Sequence, residues 1–346
     1  MKESATTRSA RGTWSNLRRT AVEAVVVASE ATRVAHDTFS AGDEVAKADA
    51  SPVTIADYAA QALICHRLLE AHPEVPCMGE EEASRLRGPA GEELLARVAE
   101  IVRTVEPTLS HAQILEAIDA AHCKGGASGR FWAIDPIDGT KGFLKRNGQW
   151  AVALGLVEDG AARLGVLGCP ALPLEPGTDP SATGVVFVGV VGEGAYQRGL
   201  NNSAHNEERE IHVARGENLP LIVAESAENE HKQGNRTARI REAIQARMIP
   251  MDSQAKYALL ARGEATVYLR VPVRRPEGET LWDHVAGVAL VEAAGGRVTD
   301  LRGKALDFSR GTHIASNHGI LGTAGPPHET ILAAIEADYA AHPPHH

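Results

Sequence analysis

Between Trp132 and Phe143 the chain reads WAIDPIDGTKGF. Asp135 and Asp138 stand either side of a Pro-Ile pair, directly after a short apolar run, and Gly139-Thr140 follow at once. Asp-Gly after proline is by itself a turn signal. Three further features give the pair chemistry. The run RFWAI predicts a strand, so the carboxylates fall at the rim of a sheet, where functional groups gather. Gly139-Thr140 can open a helix whose free N–H groups receive a phosphate oxygen at the same place. Two more acidic residues occupy loop-like points, Glu80 after Gly79 and Asp283 in LWDHVAG at a helix start. Carboxylates gathered from separate segments repel each other unless a cation joins them. Hard oxygen donors with room left for water and phosphate suit Mg²⁺.

Two other acidic motifs do not fit. An EF-hand loop needs ligands at alternate positions and a terminal Glu, and this stretch lacks that spacing. A phosphatase that forms an aspartyl-phosphate of the haloacid dehalogenase type carries its two aspartates at alternate positions, and here they are three apart. A metal-activated water is therefore expected rather than a covalent aspartate. Glu81 and Glu82 are read as solvent-facing, outside the ligand set.

The elements that would position these groups alternate along the chain. Leu17, Ala21, Ala24, Ala28, Ala31 and Ala35 recur at helical steps and predict an amphipathic helix from Trp14 to about Phe39. SPVTIADYAAQALICHRLLEAHP reads as a turn and a second helix, with Asp57 in the first turn, where a carboxylate suits the positive helix end. Residues 88–125 predict two more helices around Pro107. QWAVALGLVEDGAARLGVLGCP is a hairpin turning at Asp159-Gly160, and GVVFVGVVGEGAYQRG a further strand pair. Beyond about residue 209, LPLIVAES, ATVYLRVP and GGRVTD predict strands. RTARIREAIQARM, SQAKYALLARG and WDHVAGVALVEAAGG predict the helices between them. This alternation favours a second α/β system. The polar loop RGLNNSAHNEERE marks the boundary, giving an α+β part over 1–208 and an α/β part over 209–346.

The 346 residues suffice for one large or two medium domains. A net charge of −10 argues against a nucleic-acid polymer or an anionic membrane as partner, though not against a small anionic substrate. No run is apolar enough to span a bilayer. Cys65, Cys77, Cys123 and Cys169 have neither zinc nor disulfide-framework spacing. A cytoplasmic monomer with reduced thiols is expected, with a short organelle-targeting segment at the N-terminus as the alternative.

The blocks KADASPVTIADYAAQ, GGASGRFWAIDPIDGTKGF, DSQAKYALLARGEATVYLRVP and LWDHVAGVALVEAAGG, with GEE upstream, are similar to the inositol monophosphatase superfamily of Mg²⁺-dependent, lithium-sensitive phosphatases. Within it the chain most resembles the 3′(2′),5′-bisphosphate nucleotidase branch, from about residue 47 to 310. The resemblance implies a layered αβαβα sandwich of the inositol monophosphatase and fructose-1,6-bisphosphatase type. It implies two or three Mg²⁺ ions on Glu80, Asp135, Asp138, Asp283 and the Ile137 carbonyl. Asp57 and Thr140 would orient and deprotonate the attacking water, and the Gly139 and Thr140 N–H groups would hold the scissile phosphate. Ser253, Lys256, Arg270 and His231 would hold the nucleotide and its 5′-phosphate. The implied reaction removes the 3′-phosphate of adenosine 3′,5′-bisphosphate without a phosphoenzyme, with the 5′-phosphosulfate analogue as a second substrate, a clearing step in sulfur metabolism. Two other readings stay open: the same chemistry on an inositol bisphosphate, and a nucleotide-binding regulator without turnover.

Overall fold

The computed structural model describes residues 5–38, 44–46, 52–89, 91–145, 149–177, 184–200, 207–216, 218–226, 236–272 and 278–343. In chain order the first part contains α1 (Ala5–Thr38), β1 (Glu44–Ala46), β2 (Pro52–Thr54), α2 (Ile55–Ala71), β3 (Cys77–Gly79), α3 (Glu92–Arg103), α4 (His111–Asp119), β4 (Arg130–Asp138) and α5 (Thr140–Leu144). Then come β5 (Ala151–Glu158), β6 (Ala161–Cys169), β7 (Val185–Val190), β8 (Gly194–Gly199) and β9 (Arg209–Ile211). The last part holds β10 (Ile222–Glu225), α6 (Arg236–Ala243), β11 (Arg247–Pro250), α7 (Ala255–Ala261), β12 (Val267–Arg270), α8 (Val285–Ala293), β13 (Arg297–Thr299), β14 (Ile320–Thr323) and α9 (His328–Ala341).

Two sheets carry the architecture. A seven-stranded sheet runs β3-β4-β5-β6-β7-β8-β9, and a five-stranded sheet runs β11-β10-β12-β14-β13. Strand alternation sends each sheet's side chains to two faces, and the cores follow from it. Trp132, Ile134, Val152 and Leu154 join α1 and α2 on one side of the larger sheet. Phe131, Ala133, Ala151 and Ala153 join α7 and α8 on the other. Ala224 and Tyr268 of the smaller sheet meet that same middle layer, whereas Val223 and Val267 turn outward to Ile240 of α6 and Ile331 of α9. The order is helix, sheet, helix, sheet, helix, the αβαβα sandwich expected.

Local chemistry explains most elements. The alanine stripe of α1 is fully buried, and small side chains let the helix approach the sheet so closely that a Cβ on Gly168 would lie 2.1 Å from the Ser29 Oγ. Ser110 and Gln113 form a reciprocal capping box that starts α4. The β5–β6 hairpin turns on Asp159 (φ 51°) and Gly160 (φ 75°), the double positive φ that such two-residue loops require. Two expectations change. Arg247 and Met248 do not continue a helix: Gln245 takes φ 53°, and Arg247 N–H then donates to Leu221 at 2.9 Å, so pairing with β10 overrides helical propensity. The larger sheet also runs past residue 208, because β9 pairs with β8.

Glycine seats the middle helix. Gly155 pairs with Gly165, and Gly165 with Gly189, so three glycines form a row across β5, β6 and β7. A Cβ on Gly155 would lie 2.3 Å from Val285 Cγ1, and one on Gly165 would lie 2.0 Å from the Ala286 oxygen. One on Gly189 would come within 2.8 Å of Leu290 Cα. The row is a trough that takes the backbone of α8, whose residues Val285 to Val291 are all buried. It thereby fixes where the start of α8, and Asp283 just before it, can stand. Among the described residues no helix is long and apolar enough to cross a membrane.

Candidate active site

Residues three apart in a regular strand face opposite sides, yet Asp135 and Asp138 do not. Asp135 pairs with Ala153 and Asp138 with Ala151, so three steps on β4 match two on β5. The extra residue is a bulge, and Pro136 sits inside it, where a missing donor is tolerated. The bulge returns Asp138 to the face of Asp135, the face that looks toward α7 and α8. β3 runs parallel to β4 with Gly79 opposite Ile134, so Glu80 leaves its strand beside Asp135. Asp57 enters from the first turn of α2 and is 2 % exposed. Asp283 arrives just ahead of α8, across the middle layer.

The five carboxylates share one field. Asp135 is pushed well above the ordinary carboxylate range by burial, and then by Glu80, Asp138, Asp283 and Asp57. Burial and Asp138 push Asp283 up to about 7, against the opposing pull of Arg270. Asp138 is also raised by burial, while Lys256, Arg270 and the Gln254 N–H pull it back. Asp135 Oδ1 is buried with no hydrogen-bond partner among the described residues. An unpartnered carboxylate oxygen in a nest of like charges is an arrangement that a cation would relieve. The donors are oxygens only, so the set fits a hard divalent ion such as Mg²⁺.

The groups expected to bind phosphate lie around this nest. Gly139 has φ 90°, and a Cβ there would lie 2.8 Å from the Gln149 carbonyl and 3.0 Å from Ser253 Cβ, so only glycine fits. Ser253 itself holds φ 61°, a costly conformation for a side-chain-bearing residue. The Thr140 hydroxyl donates to the Ile137 carbonyl at 3.1 Å. Lys256 is half-buried with its ammonium 5.8 Å from the Tyr268 ring centre, and burial lowers its pKa. Arg270 donates to Glu279 at 2.6 Å and lies 3.7 Å from Asp283. His231 lies outside the described residues.

Sequence reasoning missed the groups that hold this set in place. Gln61 is fully buried; its amide donates to the Glu81 carbonyl at 2.7 Å and accepts from the Glu81 N–H at 2.9 Å. Glu81 is consequently 4 % exposed, not solvent-facing, because its backbone is tied to α2. Gln254 N–H donates to the Asp138 carboxylate. The Gln254 side chain donates to the Trp282 carbonyl at 3.1 Å and accepts from the Gly287 N–H at 3.3 Å, bridging both sides of Asp283. His284 is buried against the Tyr257 hydroxyl at 3.0 Å. Glu279, Asp283 and His284 bring potential ligand atoms within 4.8 Å of one another, and Arg270 lies against the two acids, closer to Glu279 than to Asp283. DSQ and LWDH contain or flank these residues; nothing in their spacing discloses the partners.

The sequence matches the model of the Inositol monophosphatase family over residues 13–338. It is 36 % identical over 318 residues to a 3′(2′),5′-bisphosphate nucleotidase of Emericella nidulans, covering 84 % of this chain and 90 % of that one. A Schizosaccharomyces pombe protein of the same description is 37 % identical over 320 residues, 86 % and 87 % of the two chains. The fold also matches an inositol monophosphatase from Anabaena (Nostoc) sp. PCC 7120 with a TM-score of 0.60 at 20 % identity, over 94 % of this chain and 97 % of that one. With sequence and layered architecture agreeing over most of its length, the chain belongs to the inositol monophosphatase family.

Proposed function

We propose that this protein is a Mg²⁺-dependent phosphatase that removes the 3′-phosphate of adenosine 3′,5′-bisphosphate, giving AMP and phosphate, and that it also accepts the 5′-phosphosulfate analogue. The observation that carries the reading is the union of five carboxylates with Lys256 and Arg270 acting on the same Asp138. A simple monoester needs only the acidic side; a second phosphate gives the two cations a partner. The names of the relatives at 36 % and 37 % identity support the same substrate.

Glu80, Asp135, Asp138, Asp283 and the Ile137 carbonyl would hold two or three Mg²⁺ ions. Bound there, Mg²⁺ would acidify the attacking water and neutralise charge on the phosphate and the leaving oxygen. The Thr140 hydroxyl, turning from Ile137 toward Asp57, would pass the water's proton to that carboxylate. Asp57 then acts as base without itself reaching the water. The Gly139 and Thr140 N–H groups would bind the phosphate oxygens. Ser253, Lys256 and Arg270, with His231, would hold the nucleotide and its 5′-phosphate. Attack is in line and leaves no phosphoenzyme.

The test is phosphate release from adenosine 3′,5′-bisphosphate with Mg²⁺, beside inositol 1,4-bisphosphate, AMP and the Asp138→Asn variant. Turnover of the first alone, lost in the variant, supports the proposal. Preference for the inositol substrate would reassign Ser253, Lys256 and Arg270, and no turnover of any would leave a nucleotide binder.

A further inference from the structure

Arg270 ends β12 with its side chain 34 % exposed, so part of it remains accessible to a ligand. Its other surroundings are fixed. One amino group donates to Glu279 at 2.6 Å, and the same group stands 3.7 Å from Asp283. Two acids thus compete for one cation, and they are unequal. Asp283 belongs to the carboxylate nest on the metal side. Glu279 lies beside Asp283, within 4.8 Å of it, buried at 7 % exposure, and it is the closer of the two to the guanidinium.

The backbone of Glu279 is also unusually well anchored for a loop residue. Its carbonyl accepts from Ile314 N–H at 2.9 Å, and Leu281 N–H donates to Thr312 at 2.9 Å. Thr280 forms a bridge with His313 between them. A short ladder to residues 312–314 therefore holds the carboxylate still. A guanidinium is a rigid fork, so fastening one edge aims the other.

We infer that Glu279 is a positioning residue for substrate selectivity: its contact at 2.6 Å, shorter than the 3.7 Å to Asp283, keeps the guanidinium from turning fully onto Asp283 and aims its remaining donors toward the second phosphate of the substrate. The inference rests on the proposed role of Arg270 as the 5′-phosphate partner. Without Glu279, Arg270 falls to Asp283, its nearest remaining acid among the described residues, and no longer presents a fork to phosphate. The loss then concerns only substrates that carry the second phosphate. A residue that merely supports the fold would affect every substrate alike.

The experiment compares kcat/KM for adenosine 3′,5′-bisphosphate and for adenosine 3′-monophosphate, which lacks the second phosphate. The proteins are wild type, Glu279→Gln, Glu279→Ala, Arg270→Ala and the Glu279→Gln/Arg270→Ala pair. One aimed, charge-assisted contact corresponds to about tenfold or more in binding. Both Glu279 variants are expected to lower kcat/KM about tenfold on the bisphosphate, mainly through KM, and by no more than about twofold on the monophosphate. The double variant should be no worse than Arg270→Ala, because Glu279 acts through Arg270. Equal losses on both substrates, or full additivity in the double variant, overturn the inference. If Arg270→Ala is itself unselective, the 5′-phosphate reading falls and takes the inference with it. If Arg270→Ala is selective and both Glu279 variants are not, only the role of Glu279 falls.

Discussion

The carboxylate nest should cost the metal-free protein stability, and Asp283→Asn measures how much. Burial and the charge of Asp138 raise Asp283 from its ordinary 3.8 to about 7, and its side chain is 20 % exposed. A carboxyl whose folded pKa lies above its unfolded one binds its proton more tightly in the folded state. The stability this gives is full below the unfolded value and is lost as pH rises through about 7. Taking the two values at face value, wild type loses roughly 2 kcal/mol between about pH 5.5 and 7.5 through this residue alone. For a chain of this size that is about 3 °C in Tm.

His328 works in the opposite direction. Burial first, and Arg297 second, lower it to about 4, so its stability is present above the unfolded imidazole pKa and is lost as pH falls. The absolute slope of wild type therefore mixes both groups. The difference between Asp283→Asn and wild type removes His328, which both proteins share. Thermal or urea unfolding in EDTA at the two pH values is the assay, and the variant's advantage should widen by roughly 2 kcal/mol as pH rises. Mg²⁺ at about a hundred times its Kd should add roughly 2.7 kcal/mol to wild type at the higher pH and much less to the variant. A gap that stays constant or narrows with pH would refute the claim that repulsion at Asp283 strains the unliganded fold.

Gly165→Val drives a side chain into the Ala286 oxygen and should cost about 3 kcal/mol or more in urea unfolding, with turnover lost as α8 lifts. Gly126→Ala, where an added methyl meets nothing within 4 Å, should change neither. Gln254→Ala removes the bridge flanking Asp283 and should lower kcat about 10- to 100-fold in phosphate release and raise the Mg²⁺ needed for half activity. Tyr257→Phe deletes one buried hydrogen bond to His284; it should cost about 1 kcal/mol in unfolding and leave kcat within about threefold.

The convergence of the acidic residues was legible because a shared cation would restrict residue type at each point. Asp135, Asp138, Glu80 and Asp283 announce themselves as carboxylates at element ends, and the alanine stripe of α1 announces a buried helical face by its spacing. What stayed hidden depends on partners far away in sequence. The bulge that turns Asp138 to the face of Asp135 exists only in register with Ala151 and Ala153. Glu81 reads as solvated until Gln61, twenty residues earlier, is placed against it. In the sequence Gln254 is one more polar residue of the predicted helix SQAKYALLARG and Glu279 a polar residue ahead of LWDHVAG; only the approach of Asp138 and Arg270 gives them partners.

The glycines show why such features resist reading from one strand at a time. Gly155, Gly165 and Gly189 each weaken a strand locally, having no side chain to pack and the most backbone entropy to lose. In register they become a groove, and the groove admits an apolar helix at backbone distance. That helix, packed on β5, β6 and β7, begins just after Asp283. Had any of the three carried a side chain, α8 would sit farther out and Asp283 would leave the field of Asp135 and Asp138. The row thus gives up local strand stability for the separation between sheet and helix, and that separation decides whether carboxylates from two layers can converge on one point.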